Sequence, residues 1–285
     1  MSNLTKTTIA FVADFFADEI PGGGEVNNDE LIKLLSADYR MLKVKSRNLD
    51  PVAIEYGLVD YYIISNFVQL GQRCRDALTN KARYIIYEHD HKYVRNRNPA
   101  AYENYLAPKS EIVNFDFYKN AAAVFCQSDF HANIVRKNLE LDNIHSVGGN
   151  LWSEDTLMLM RGIAQSKKRD VCSIVQTDNW HKNTVGAVRY CNAKGLQHEL
   201  IGYTEIGQFL TKLGSNKRLV FFPQTPETLS RIVVEARMMG MSVVTNRNVG
   251  ATKEPWFDLK GEPLVDLMVE KRIEIPEAVK RVLNG

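Results

Sequence analysis

Short runs rich in β-branched and aromatic residues alternate with amphipathic segments almost from end to end of this 285-residue chain. That alternation is the signature of parallel strands joined by crossover helices, so the chain is confined to the α/β class. Strands are expected near 8–13, 40–44, 61–65, 83–87, 122–126 and 144–147, with helical spacing at 29–35, 50–56, 68–78, 111–120 and 129–138. Asp50-Pro51 reads as a cap followed by a first-turn proline, and Ser128 as the cap of the helix after it. A second series follows Lys167-Lys168-Arg169: strands near 171–175, 199–202, 218–222 and 242–245, and helices at 184–194, 205–213 and 227–239. The restart predicts two domains, 1–150 and 170–285, with a linker at 151–169 that holds a short helix near 154–163. Two closing helices are expected at 263–271 and 276–283.

With 36 basic and 34 acidic side chains, the net charge does not favour general polyanion binding. Between Arg40 and Arg97 there are eleven Lys/Arg against six Asp/Glu, a local excess set within a first half that carries seventeen against nineteen. The four cysteines are widely spaced and form no Cys-x-x-Cys pair, which argues against a zinc ribbon or a disulfide framework. The polar N-terminus shows no signal-like region, and no apolar run approaches the ~20 residues of a membrane span. A cytoplasmic protein without a membrane span is expected.

The stretch from Phe221 to Ala236 is the richest in chemistry. Thr225 suits a helix cap and Pro226 a first helical position, and the N–H groups of a first turn favour an anion. If the helix begins there, Glu227 and Glu235 stand about 80° apart around it and about 12 Å apart along it. One carboxylate then addresses a sugar and the other a nucleoside. Upstream, the first strand runs into Pro21-Gly22-Gly23-Gly24-Glu25, where glycines permit close backbone approach and positive φ. This run is neither Gly-x-Gly-x-x-Gly nor a P-loop. Tyr87-Glu88-His89-Asp90-His91 ends a strand, the place where open parallel sheets bind ligands. His89 is expected to hydrogen-bond there, and no metal is expected because no third local ligand accompanies His89 and His91. Lys182, in Thr177-Asp178-Asn179-Trp180-His181-Lys182, follows the first strand of the second series and can neutralise a diphosphate leaving group.

Together these pieces resemble the retaining glycosyltransferases of the GT-B fold, the family-4-like group. The glycine-rich loop Gly22-Gly23-Gly24, His89-Asp90, Lys182 and the Glu-x7-Glu pair Glu227/Glu235 stand in that group's order. The resemblance covers roughly residues 7–255. It implies two Rossmann-like, doubly wound parallel-sheet domains facing across a cleft, the second of which is abbreviated in this sequence. It also implies metal-independent transfer of a hexose, with retention, from a nucleotide-diphosphate sugar to a hydroxyl acceptor, with no cofactor besides the donor. By that likeness Glu227, Lys182 and His89 are catalytic. Gly22, Gly23, Gly24, Thr177, Lys182, Glu227, Thr228, Leu229, Ser230 and Glu235 bind the donor, with Glu235 on the ribose.

His89, Asp90, Lys92 and Arg95 face the acceptor: a saccharide, a lipid-linked hydroxyl or a modified DNA base. Three departures stand out, the first being that the second series shows four strands, one βα unit fewer than the group usually has. Thr177 occupies the place of the group's arginine, and Thr228-Leu229-Ser230 replaces Gly-Phe-Gly. They motivate an alternative, a catalytically degenerate sugar-nucleotide-binding protein on the same fold. A nucleotide-sugar epimerase shares the Rossmann halves, but its acid and base carboxylates are not locatable in the sequence.

Overall fold

Ile9, Ala10, Phe11, Val12 and Ala13 are all buried, as a central strand covered on both faces requires. They lie in β1 (Thr8–Ala13), the hub of the first unit in a computed structural model that describes residues 6–285. The first five residues of the expected N-terminal domain lie outside the described residues. After β1 come α1 (Gly23–Leu35), β2 (Arg40–Lys45), α2 (Pro51–Glu55), β3 (Tyr61–Ile64), α3 (Gln72–Lys81) and β4 (Tyr84–Glu88). The unit continues with α4 (Phe115–Lys119), β5 (Val124–Cys126), α5 (Asp129–Leu139) and β6 (Ile144–Ser146).

All six strands are parallel, in the order β2-β1-β3-β4-β5-β6. Period-two alternation divides the core. Ala10, Val12, Tyr62 and Ile64 pack with Leu78, Phe117 and Val135 on one face, and Ile9, Phe11, Ile63 and Ile85 pack with Leu31 and Leu35 on the other. The local capping expectations hold: Asp50 accepts from Val52 N at 2.9 Å with Pro51 at the helix start, and Ser128 accepts from His131 N at 3.1 Å.

The second unit holds α6 (Glu154–Gln165), β7 (Arg169–Gln176), α7 (Thr184–Ala193), β8 (His198–Gly202), α8 (Ile206–Gly214), β9 (Asn216–Phe221), α9 (Arg231–Met238) and β10 (Ser242–Thr245). Its four parallel strands run β10-β9-β7-β8. Leu219 and Phe221 face α6, α8 and α9, while Val220 faces Ala187 and Cys191 of α7. Both sheets are therefore doubly wound and Rossmann-like. The neighbours of β1 and of β7 lead in opposite directions, so each sheet has a topological switch point, between β1 and β3 and between β7 and β9.

Element ends elsewhere shift by up to four residues, and three departures from the sequence reading bear on the site or on the unit boundary. Helix α1 begins at Gly23, six residues before the expected 29, and Gly22, Gly23 and Gly24 are not among the residues with positive φ. Gly24 packs beside His89, where a Cβ would make ordinary contact with the ring at 3.4 Å.

Helix α9 begins at Arg231, so Thr225 and Pro226 do not start it and Glu227 is not helical. The cause is a bridge to a distant segment: Glu227 N donates to Asn248 O at 2.7 Å, Gly250 N to Glu227 O at 2.9 Å and Ala251 N to Leu229 O at 2.9 Å. These bonds hold 227–229 extended.

Finally, 263–271 and 276–283 form one helix, α10 (Glu262–Asn284), that continues through Pro276. Its residues from Arg272 onward belong to the first unit, which comprises Met1–Leu151 and Arg272–Gly285, and the second unit is Trp152–Lys271. Buried Ile275, Val279 and Leu283, together with an Arg272–Glu30 ion pair of 2.5 Å, hold that stretch in place beyond the proline.

Candidate functional site

In open α/β sheets ligands bind beyond the carboxyl ends of the strands at the switch point. In the second unit that position is occupied by the loops after β7 and β9. The first carries a 3₁₀ turn, Trp180–Lys182, and the second reaches from Phe222 to Ser230. Gln224 N donates to His181 O at 2.8 Å and Asn183 Nδ2 to Phe222 O at 3.0 Å, so the two loops are sewn together. Across this seam Lys182 Nζ meets Glu227 Oε1 at 2.7 Å. The lysine side chain is 36% exposed and the glutamate 16% exposed, so the pair is open to a ligand. Phe221 lies under the ammonium, 5.8 Å from it. This arrangement can stabilise an anion while the carboxylate accepts hydrogen bonds from hydroxyl groups.

The remaining donor-side residues fall into different environments. Thr177 Oγ1 accepts from Asn179 N at 3.2 Å and helps shape the turn. Thr228 is half-buried, and Leu229 is fully buried in the unit's core. Ser230 caps α9 at φ 76°, in left-handed backbone, and its buried hydroxyl has no hydrogen-bond partner. Glu235 is buried, with Oε1 accepting from Trp152 Nε1 at 2.9 Å and lying 3.6 Å from Arg231 Nε. The Arg231 guanidinium stacks over Trp152 at 4.3 Å. The structure thus joins Lys182 to Glu227 directly, whereas Glu235 is engaged by an indole that the sequence did not single out. An open groove of about 600 Å³ lies at the opposite, N-terminal ends of β7 and β8, away from these groups.

In the first unit the switch point gathers Glu25, Asn28, Ser65, Asn66 and His89. Asn28 Oδ1 contacts His89 Nε2 at 2.6 Å and accepts from Ser65 Oγ at 3.0 Å, and Asn66 Nδ2 donates to Glu25 Oε1 at 3.0 Å. Burial pushes the Glu25 carboxyl upward. Asp14 organises the loops beneath by accepting from Val68 N, Gln69 N and Ser46 Oγ. Apart from His89, none of these residues was given a role from the sequence. Their only local signal is the Asn27-Asn28 doublet, two amides on the inward side of an amphipathic helix.

The expected acceptor-side residues separate. Lys92 is 3% exposed and holds Glu88 and Asp90, the latter at 2.7 Å, so its ammonium is committed inside the unit. Glu88 also accepts from Tyr118 Oη and from the His89 and Asp90 N–H groups. Burial pushes Glu88 up to about 7. Burial acts in the same direction on Asp90, but Lys92 and then Arg97 outweigh it and leave that carboxyl at about 2. Arg95 is exposed beside Glu111 at 3.6 Å. Strand β4 ends at Glu88, so His89 and His91 do not share a strand face. His91 is buried against His131 instead. Among the described residues no three His, Cys, Asp or Glu side chains are grouped to hold a metal, and no helix is long and apolar enough to cross a membrane.

No protein-family model and no curated protein sequence matches the chain. Solved structures do. Sucrose-phosphate synthase from Thermosynechococcus elongatus aligns over 98% of this chain and 99% of its own, at 10% identity and a TM-score of 0.61. HepE from Anabaena, in complex with UDP and glucose, aligns over 97% and 92%, at 12% identity and a TM-score of 0.53. UDP-GlcNAc 2-epimerase from Methanocaldococcus jannaschii aligns over 98% and 99%, at 11% identity and a TM-score of 0.50. With two doubly wound parallel sheets of six and four strands and these structural neighbours, the chain has the GT-B glycosyltransferase fold.

Proposed function

We propose that this protein transfers a glycosyl group from a nucleotide sugar to a hydroxyl acceptor. The observation that carries this reading is the Lys182–Glu227 pair, 2.7 Å apart and half-open at the switch point of the second unit. As the sugar leaves its diphosphate, negative charge grows on the phosphate oxygen. An ammonium fixed at that place stabilises the charge without reorganisation. Glu227 positions Lys182 and accepts from sugar hydroxyls, and the donor is held by the loops after β7 and β9. We read the transfer as retaining, moving a hexose, with Lys182 meeting the leaving-group charge in place of a metal and no cofactor beyond the donor. The acceptor belongs to the first unit, where His89 and its Asn28 partner present polar groups at the other switch point. HepE, which binds UDP and glucose on this fold, supports the donor class.

Isothermal titration against a panel of nucleotide sugars, followed by release of free nucleotide over time, tests the reading. At least one donor binds and is slowly hydrolysed, and Lys182→Ala and Glu227→Ala lose the hydrolysis. A folded protein that binds no nucleotide sugar overturns it.

Two observations favour a second reading, a sugar-nucleotide-binding protein without turnover: Glu235 is already engaged by Trp152, and Thr177 supplies no second cation. Donor binding with no nucleotide release in the presence of any acceptor selects that reading.

A further inference from the structure

The tryptophans of the second unit are unequal. Trp152 and Trp256 are buried, whereas Trp180 is 60% exposed at the carboxyl end of β7. Its indole is not a loose surface side chain. His181 stacks on one face, with ring centroids 3.7 Å apart and planes at 30°. The turn beneath is fixed by His181 N donating to Asn179 Oδ1 at 3.0 Å, Lys182 N to Asn179 O at 3.0 Å and Asn183 N to Trp180 O at 3.1 Å. The bond from Gln224 N to His181 O ties the same turn to the loop that carries Glu227. A rigid, backed aromatic surface therefore stands two residues from the ammonium of Lys182.

We infer that the open face of Trp180 is the stacking surface for the base of a mononucleotide whose phosphate reaches Lys182. A flat π-face beside one cation is the chemistry that recognises a base joined to a phosphate. Lys182 is the only Lys or Arg between residues 171 and 186, and Asp178 lies in the same loop. A polynucleotide would require a line of phosphate contacts that this loop does not provide. The inference rests on the glycosyl-transfer reading for where the donor lies, and it adds which group holds the base.

The test uses the full chain and follows tryptophan emission while UMP, CMP, AMP, GMP or dTMP is added, with ribose 5-phosphate as the base-free control. At least one nucleotide quenches the exposed tryptophan and ribose 5-phosphate does not. By calorimetry Trp180→Ala weakens that nucleotide by about ten- to a hundredfold, while Trp180→Phe stays within about threefold of the parent. Melting curves confirm that both variants are folded. Unchanged nucleotide affinity in Trp180→Ala overturns the inference, as does equal binding of ribose 5-phosphate, absence of binding by all five nucleotides, or much tighter binding of a single-stranded oligonucleotide. The two readings fail separately. Sugar-nucleotide turnover undiminished in Trp180→Ala removes the stacking surface and leaves the transferase. Trp180-dependent nucleotide binding without turnover of any sugar nucleotide does the reverse.

Discussion

Of the lysine–glutamate pairs among the described residues, Lys92–Glu88 in the first unit and Lys182–Glu227 in the second have opposite surroundings. Lys92 and Glu88 are almost wholly buried, and every charge there is answered from within by Asp90, Tyr118 and backbone N–H groups. Lys182 and Glu227 form a pair half-open to solvent, with an exposed aromatic turn beside them. A buried ion loses its hydration and is strongly destabilising if its partner is removed, so the first cluster acts as scaffold. An open pair contributes little to stability and keeps its charge available. The difference separates residues that build the β4 loop from residues able to meet a ligand.

The sharpest way to break the comparison is Lys92→Met, which leaves the fully buried Glu88 without a cation, while the partly exposed Asp90 keeps Arg97. It should cost about 3–5 kcal/mol, read from urea unfolding. A loss below about 1 kcal/mol would mean that the cluster is no scaffold. Lys182→Ala should do the converse. Unfolding should shift by less than about 1 kcal/mol, while donor turnover falls by about 10²–10³-fold, equivalent to roughly 3–4 kcal/mol. Equal damage to stability and turnover would erase the distinction.

The pH response of the buried cluster comes next in size. Burial holds His91 down at about 4. The folded state therefore binds fewer protons than the unfolded one, and the His91 contribution is present above the usual histidine value and lost as pH falls through 4. His131, also buried, is held well below its usual value and adds to that loss. Glu88, raised to about 7, has the opposite sign: it favours the folded state at low pH, and that contribution fades as pH rises through 7. His91 and Glu88 are each worth roughly 3 kcal/mol and largely cancel, so wild-type stability should decline only modestly from about pH 7 to about pH 4. Glu88→Gln should steepen the decline and His91→Asn should flatten it. Urea midpoints measured across that range check the signs, and parallel curves for the two variants would refute them.

The smallest effect is expected at Ser230, whose φ of 76° suits glycine. Ser230→Gly should stabilise the protein by about 1 kcal/mol, because the left-handed cost disappears together with a buried, unpaired hydroxyl. A lower melting temperature for the variant would contradict that account.

What the sequence made legible was local or periodic. Strands 8–13 and 242–245 agree to the residue, because β-branched runs bounded by polar residues carry their own limits. The Asp50 and Ser128 caps also agree, because a cap acts within three residues. Distant partners decided the rest. Thr225-Pro226 has good helix-start chemistry, yet the backbone bonds from Glu227 and Leu229 to residues 248–251 hold that segment extended. Pro276 reads as a break, but Ile275, Val279 and Leu283 find a core that keeps the helix intact. In the candidate site, Lys182 and Glu227, 45 residues apart in sequence, meet at 2.7 Å. The buried cluster around Lys92 and the indole on Glu235 depend on Tyr118, 30 residues from Glu88, and on Trp152, 83 residues from Glu235, and no spacing rule announces either of them.

The return of the chain at Arg272 has a practical corollary. Because the backbone passes between the two units twice, a single proteolytic cut at 151/152 would release neither half, and expressing residues 1–151 alone would strip the first sheet of three apolar plugs worth roughly 1.5–3 kcal/mol apiece. A circular permutant that joins the last fourteen residues to the front of the first unit would make that unit one continuous piece of chain.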